Sequence, residues 1–166
     1  PLAKRKLKME IRQYTDKDWR EVEEIYNLSK PDEMRGSVDL QALIRLQEDP
    51  NMIKLFQDSE IIVMEENDKI IGFAGNKGNY ISWLFVHPNH RRKNVARALL
   101  NKMLSTLKGS IVLNVAQNNE AANNLYKSLG FRIEKKFIGN FNGFESKAMT
   151  LKLEIRNPAG RWQKSQ

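Results

Sequence analysis

The chain has 166 residues, of which 40% are hydrophobic and 29% charged, with no cysteine and a formal net charge of +8. Such a chain builds one globular domain around one core. It excludes disulfides, thiolate metal sites and a cysteine nucleophile, and no apolar run approaches the ~20 residues of a membrane span.

In chain order, residues 1–8 read as a basic extension (Lys4, Arg5, Lys6, Lys8). No apolar stretch follows, as a secretory signal would need, so a cytoplasmic chain is expected. A single domain is expected over 9–155 and a tail over 156–166. Glu10-Ile11-Arg12 suggests a short strand. Thr15 is placed to cap a helix with Trp19, Val22, Ile25 and Tyr26 on one face, broken at Pro31. Ser37 is placed to cap a second helix through Leu40, Leu43 and Ile44, ended by Asp49-Pro50. Ile61–Met64 and Ile70–Ala74 flank the turn-like Glu66-Asn67-Asp68 as a hairpin. After a turn at Gly75–Asn79, period two puts Ile81, Trp83 and Phe85 on one face of a strand. Beyond Pro88 the period changes: Val95, Ala96, Leu99, Leu100, Met103, Leu104 and Leu107 describe an amphipathic helix stopped by Gly109. Ile111, Leu113 and Val115 mark a strand. Asn119 opens a helix with Ala122, Leu125 and Leu129 inward, stopped by Gly130. Phe131–Ile138 and the alternation of Met149, Leu151, Leu153 and Ile155 are the last strands. The order β-α-α-β-β-β-α-β-α-β-β predicts an α/β (α+β) fold with a mixed, mostly antiparallel sheet flanked by helices.

The chemistry concentrates between His87 and Leu100. A strand ends, a loop carries Arg91, Arg92 and Lys93, and a long helix begins. The first turn of a helix has unpaired N–H groups and the positive end of the macrodipole, which together suit a pyrophosphate. Small Ala96 lets a ligand approach the backbone. A solvated basic loop before a core helix accounts for the same residues equally well. His87 and His90 stand three apart, but no carboxylate cluster completes a ligand set around them, so no metal is expected. The positive balance points to an anionic partner. Glu21–Glu24 and Glu65-Glu66 dilute it, and no alternating basic and aromatic platform appears, so nucleic acid ranks last among the partners.

Two blocks carry a family resemblance. Arg91-Arg92-Lys93-Asn94-Val95-Ala96, preceded by Leu84-Phe85-Val86-His87-Pro88, resembles the Q/R-x-x-G-x-G/A signature of the GNAT N-acetyltransferase superfamily. Asn119-Glu120-Ala121-Ala122 followed by Leu125-Tyr126-Lys127-Ser128-Leu129-Gly130-Phe131 resembles that superfamily's N-x-x-A-x-x-L-Y-x-x-x-G-F segment. The likeness spans roughly Glu10 to Ile155. It implies an enzyme moving an acetyl group from acetyl-CoA to a primary amine by direct attack, without a metal. It implies main-chain stabilisation of the oxyanion and pairing with the pantetheine arm at Leu84, Phe85 and Val86. It further implies a pyrophosphate cradle at Arg91, Arg92, Lys93, Asn94, Val95 and Ala96, further cofactor contacts from Asn119, Arg97 and Lys127, and Tyr126 as general acid.

The departures are Asn94, where the superfamily usually has glycine, and Tyr80, where some members carry a glutamate base. The base is left open among a water relay, Glu33, Asp32 or an amine that arrives neutral. The acceptor is a small-molecule amine or a peptide N-terminus, with aminoacyl-tRNA a further substrate class. A domain that binds CoA without catalysis is the other reading, and a homodimer is left open.

Overall fold

The structure, a computed structural model, describes residues 8–156. Lys4, Arg5, Lys6 and the 157–166 stretch lie outside the described residues. Four helices and seven strands follow in the expected order: β1 (Met9–Gln13), α1 (Trp19–Met34), α2 (Pro50–Gln57), β2 (Glu60–Glu66), β3 (Lys69–Lys77), β4 (Tyr80–Val86), α3 (Val95–Leu104), β5 (Gly109–Ala116), α4 (Glu120–Ser128), β6 (Arg132–Phe141) and β7 (Phe144–Ile155). The strands form one sheet in the order β1-β2-β3-β4-β5-β7-β6. Its one parallel pair is β4–β5.

Each face of the sheet buries its own core. On one side Val95, Leu99, Leu100 and Met103 of α3, with Tyr126 of α4, cover Ile71, Ala74, Ile111 and Leu113. On the other, Val22, Ile25 and Tyr26 of α1 and Phe56 of α2 meet Val63, Phe73, Trp83 and Phe85. Helix α3 lies close on β3 because Gly72 has no side chain. A Cβ there would stand 2.9 Å from Val95 Cγ1 and 3.2 Å from Leu99 Cδ1.

Five boundaries differ from the sequence reading. Thr15 precedes a single 3₁₀ turn (Asp16–Asp18), so α1 starts at Trp19. Pro31 does not break α1, which runs to Met34. The lost amide and ring clash cost about 3 kcal/mol in a helix interior. The helix nevertheless continues past Pro31 and buries Met34 in its last turn. No helix starts at Ser37. Its Oγ accepts from the Asn118 amide (3.0 Å) and its carbonyl from the Lys147 amide (2.8 Å), while Asn27 Oδ1 accepts from the Leu46 amide (2.8 Å). These tertiary bonds hold the segment in two 3₁₀ turns, Leu40–Ala42 and Leu46–Glu48. Asp49-Pro50 therefore begins a helix: Asp49 Oδ1 accepts from the Met52 amide (3.2 Å), and proline at the first position forfeits no helical bond. Finally, α3 ends at Leu104; Leu107 packs on the same core from the loop, and Gly109 opens β5 with φ +82°.

The entry to α1 is pinned by charge. Buried Asp18 accepts from both Arg12 Nη atoms (2.7 and 2.8 Å) and from the Thr15 amide (2.8 Å), and Arg12 also reaches Glu65 (2.6 Å). The guanidinium holds the Asp18 carboxyl below its ordinary 3.8. A depressed folded-state value contributes stability above the unfolded value and loses it as pH falls through the folded one. Asp18→Asn is therefore expected to destabilise by about 1–3 kcal/mol at pH 7. In thermal melts, its gap from wild type should shrink below pH 3.8. A gap unchanged down to the acid limit would remove the charge from this account.

Candidate active site

Strands β4 and β5 pair only at Tyr80↔Val112 and Ile81↔Leu113. Past that point β4 stays with β3 up to Val86 and β5 stays with β7 up to Ala116, so the sheet splits. A cleft of about 290 Å³ opens there, lined by β4, β5, α1, α2, α4 and the facing ends of β6 and β7.

A β-bulge sets what β4 shows to this cleft. Gly75 faces Trp83 and Asn76 faces Ile81, leaving Ser82 without a partner in the ladder. Ser82 Oγ instead shares a hydrogen bond with Ser59 Oγ (2.9 Å). An extra residue reverses the alternation of a strand. Ile81 accordingly enters the α3–α4 core and Trp83 and Phe85 the α1–α2 core, so these three do not share one face as period two predicts. The main chain reverses as well. The His87 amide donates to Ile71 on β3 (2.8 Å), while the Val86 carbonyl accepts from Ser29 Oγ (3.0 Å) on α1. By alternation, the peptide groups of Leu84 and Val86 face the opening and that of Phe85 faces β3.

At the mouth, Arg92 (φ 62°) and Asn94 (φ 60°, ψ 21°) are both left-handed. Asparagine tolerates this conformation better than most residues. Its side chain makes no cap bond. The first intrahelical bond runs from the Ala98 amide to the Asn94 carbonyl (3.0 Å), so the amides of Val95, Ala96 and Arg97 precede it, and no acidic residue occupies this turn. Arg91, Arg92 and Lys93 are exposed beside them. Arg91 is held by Asp32 (2.8 Å). Arg97 donates to Ser128 Oγ (2.9 Å), and Lys127 is exposed away from the cleft lining.

Asn119 is the N-cap of α4, its Oδ1 accepting from the Ala122 amide (3.3 Å), and it also lines the cleft. Tyr126 is 6% exposed, stacks edge-on with Phe131 at 5.5 Å and faces the same space. Burial pushes its phenol well above the ordinary 10. Burial also raises Tyr80, opposed by a hydrogen bond with Asn114. Both are neutral donors at neutral pH. Of the two candidate bases, Glu33 lines the cleft, while Asp32 is outside the lining with Arg91 and Arg35. Among the described residues, Glu33 is the one carboxylate in that lining.

The sequence reading missed Ser29 and Lys30. Both sit on α1 beyond any motif, and only their burial marks them. The two histidines have separate partners: His87 Nδ1 accepts from the Asn89 amide (3.1 Å), and His90 Nδ1 lies 3.2 Å from Glu66 Oε2. Among the described residues no group of three His, Cys, Asp or Glu could hold a metal ion. None of their helices is long and apolar enough to cross a membrane.

The sheet is mixed and split between its two parallel strands, and the split lies beside the N-terminus of α3, reached through a loop with two left-handed residues. Residues 19–131 match the Acetyltransferase (GNAT) family, and the chain belongs to it. It is 32% identical over 72 residues to the peptidyl-lysine N-acetyltransferase YjaB of Escherichia coli (strain K12), covering 43% of this chain and 48% of that protein. The chain thus spans about half the length of the curated relatives it matches. Its fold is similar to that of a GCN5-related N-acetyltransferase from Rhodopseudomonas palustris (TM-score 0.78, 16% identity, 88% of this chain and 95% of that one). It is also similar to yncA from Salmonella typhimurium, described with its cofactor acetyl-CoA (TM-score 0.67, 20% identity, 90% and 95%).

Proposed function

We propose that this chain transfers an acetyl group from acetyl-CoA directly to a primary amine. The observation that carries the reading is the bulged β4, which turns the Leu84 peptide group away from β3 and toward the cleft that Leu84, Tyr126 and Glu33 line.

The site fits the donor. Left-handed Arg92 and Asn94 and the leading amides of α3 form an anion seat whose helical turn carries no acidic residue, with Asp32 on the Arg91 side of it. Arg91, Arg92, Lys93, Asn94, Val95 and Ala96 would hold the pyrophosphate. The opened edge of β4 at Leu84 and Val86 would pair with the pantetheine amides, while Phe85 contributes its side chain to the wall. Asn119 lies at the acyl end. Arg97 and Lys127 can supply only outer charge. The thioester supplies an acyl carbon open to attack by an uncharged amine.

The chain's residues then divide the work. The Leu84 amide stabilises negative charge developing on the acyl oxygen. Tyr126 donates its phenolic proton toward the departing sulfur, and Glu33 accepts the proton shed by the amine. Tyr80 occupies the position of a family glutamate but, as a buried phenol, is no base at neutral pH.

Incubation with acetyl-CoA and a panel of amines, read by thiol release, tests this. Peptidyl lysine joins the panel because of the similarity to YjaB. Release with at least one amine is expected. Saturable CoA binding without release from any amine would leave a binding domain instead.

Asn94 supplies a second test. It already holds the left-handed conformation, so the substitution does not forfeit the shape of the loop. What remains is a side chain at the mouth of the anion seat. Asn94→Gly is expected to tighten acetyl-CoA binding a few-fold by calorimetry. Equal or weaker binding would show that the side chain is not in the way.

A further inference from the structure

Lys30 is 9% exposed and lines the cleft. Lysine is almost never buried without a partner that repays its desolvation. Here Nζ donates to Glu33 Oε1 (3.0 Å) and lies 5.6 Å from the ring centres of Tyr26 and Phe85 and 5.4 Å from that of Phe141. Helix α1, strand β4 and the end of β6 thus converge on one ammonium. The rings and the carboxylate offset the cost of burying an ammonium. An ammonium has three donors, and among the described residues Glu33 is its hydrogen-bond acceptor. The remaining donors have the cleft before them.

The pair lines the cleft, whereas the residues of the donor seat do not; Asp32, between Lys30 and Glu33 on α1, holds Arg91 of that seat (2.8 Å). The lining of the cleft is mostly apolar, with Met34, Met52, Leu55 and Phe141 among it, and carries polar groups at Ser82, Asn119, Tyr126 and Ser146. A fixed cation and a fixed anion 3.0 Å apart, in a mostly apolar pocket, present a dipole of defined direction. The complementary ligand carries an ammonium and a carboxylate on one carbon, with an apolar side chain. Laid antiparallel, its carboxylate meets Lys30 and its amine meets Glu33, the group that must take its proton. A polyamine would bring a second cation against Lys30. A peptide N-terminus has an amide where the carboxylate should be.

Resting on the transferase reading for its direction of attack, we propose that the acceptor is a free α-amino acid with an apolar side chain, selected by the Lys30–Glu33 pair. The test titrates L-methionine and L-methioninamide by calorimetry into CoA-saturated wild-type protein and into Lys30→Met, an uncharged side chain of similar reach. Wild type is expected to bind the acid at least ten-fold more tightly than the amide, and Lys30→Met to bind both alike. Equal binding to wild type, a preference that survives Lys30→Met, or no binding of either ligand overturns the proposal. If Lys30→Met does not melt cooperatively, the acid-to-amide ratio in wild type still decides. Thiol release separates the two levels. A carboxylate preference in binding without turnover of any amine sinks the transferase reading and leaves the pocket. Better turnover of spermidine or a lysine peptide than of any amino acid sinks the pocket and leaves the transferase.

Discussion

Tyr126→Phe is expected to lower kcat about 100-fold, within the usual range for removing a positioned acid, while leaving the Kd for acetyl-CoA almost unchanged. The ring stays. It is 6% exposed and packed on Phe131, so phenylalanine preserves the α4 contact and the cleft wall. Only the proton is lost, and it matters when negative charge gathers on the leaving sulfur. The pH profile separates this role from a structural one. Burial raises the phenol above 10, so Tyr126 remains protonated throughout the neutral range. Any loss of rate from its ionisation begins only above pH 10, and a basic limb near pH 8 would belong to another group. Stopped-flow turnover and calorimetry read the two halves. Unchanged kcat would remove the acid role, and a parallel loss of binding would make Tyr126 a wall residue.

Leu99→Ala is expected to cost about 3 kcal/mol, the middle of the range for a buried leucine truncated to alanine. For a chain of this size that lowers Tm by roughly 6–12 °C. Leu99 is fully buried at the centre of the α3 face, above Gly72. The tight seating of α3 on β3 leaves little freedom to collapse into the space. The same contact holds the first turn of α3, so acetyl-CoA binding should weaken as well, though the residue is a full turn from the anion seat. Thermal melting followed by circular dichroism checks the first effect. A fall under about 2 °C would mean that α3 is held from elsewhere.

The period-3.6 stripe of α3, the cap at Asn119 and the alternation of β7 are local patterns, and the structure keeps each of them. Segment 37–49 was not legible, because its backbone is bonded to Asn118, Lys147 and Asn27 rather than to itself. Asp49-Pro50 satisfies the rules for stopping a helix and for starting one. Only the hydrophobic company of Met52, Leu55 and Phe56, packed on the α1–α2 core, settles which applies.

The sequence by itself determined the family and the order of the elements, since these rest on residues close together in the chain, Arg91 to Ala96 and Asn119 to Phe131 among them. The tertiary structure alone decided how the cleft is lined. A one-residue bulge at Ser82 reverses both the side chains and the peptide groups of β4, a change that leaves no mark in an alternating run. It likewise brought Lys30 of α1 to the rings of Phe85 and Phe141, which lie 55 or more positions further on. Local periodicity records which side of an element is buried. It carries no information about which distant element does the burying, and the Lys30 side of the cleft is made of such contacts.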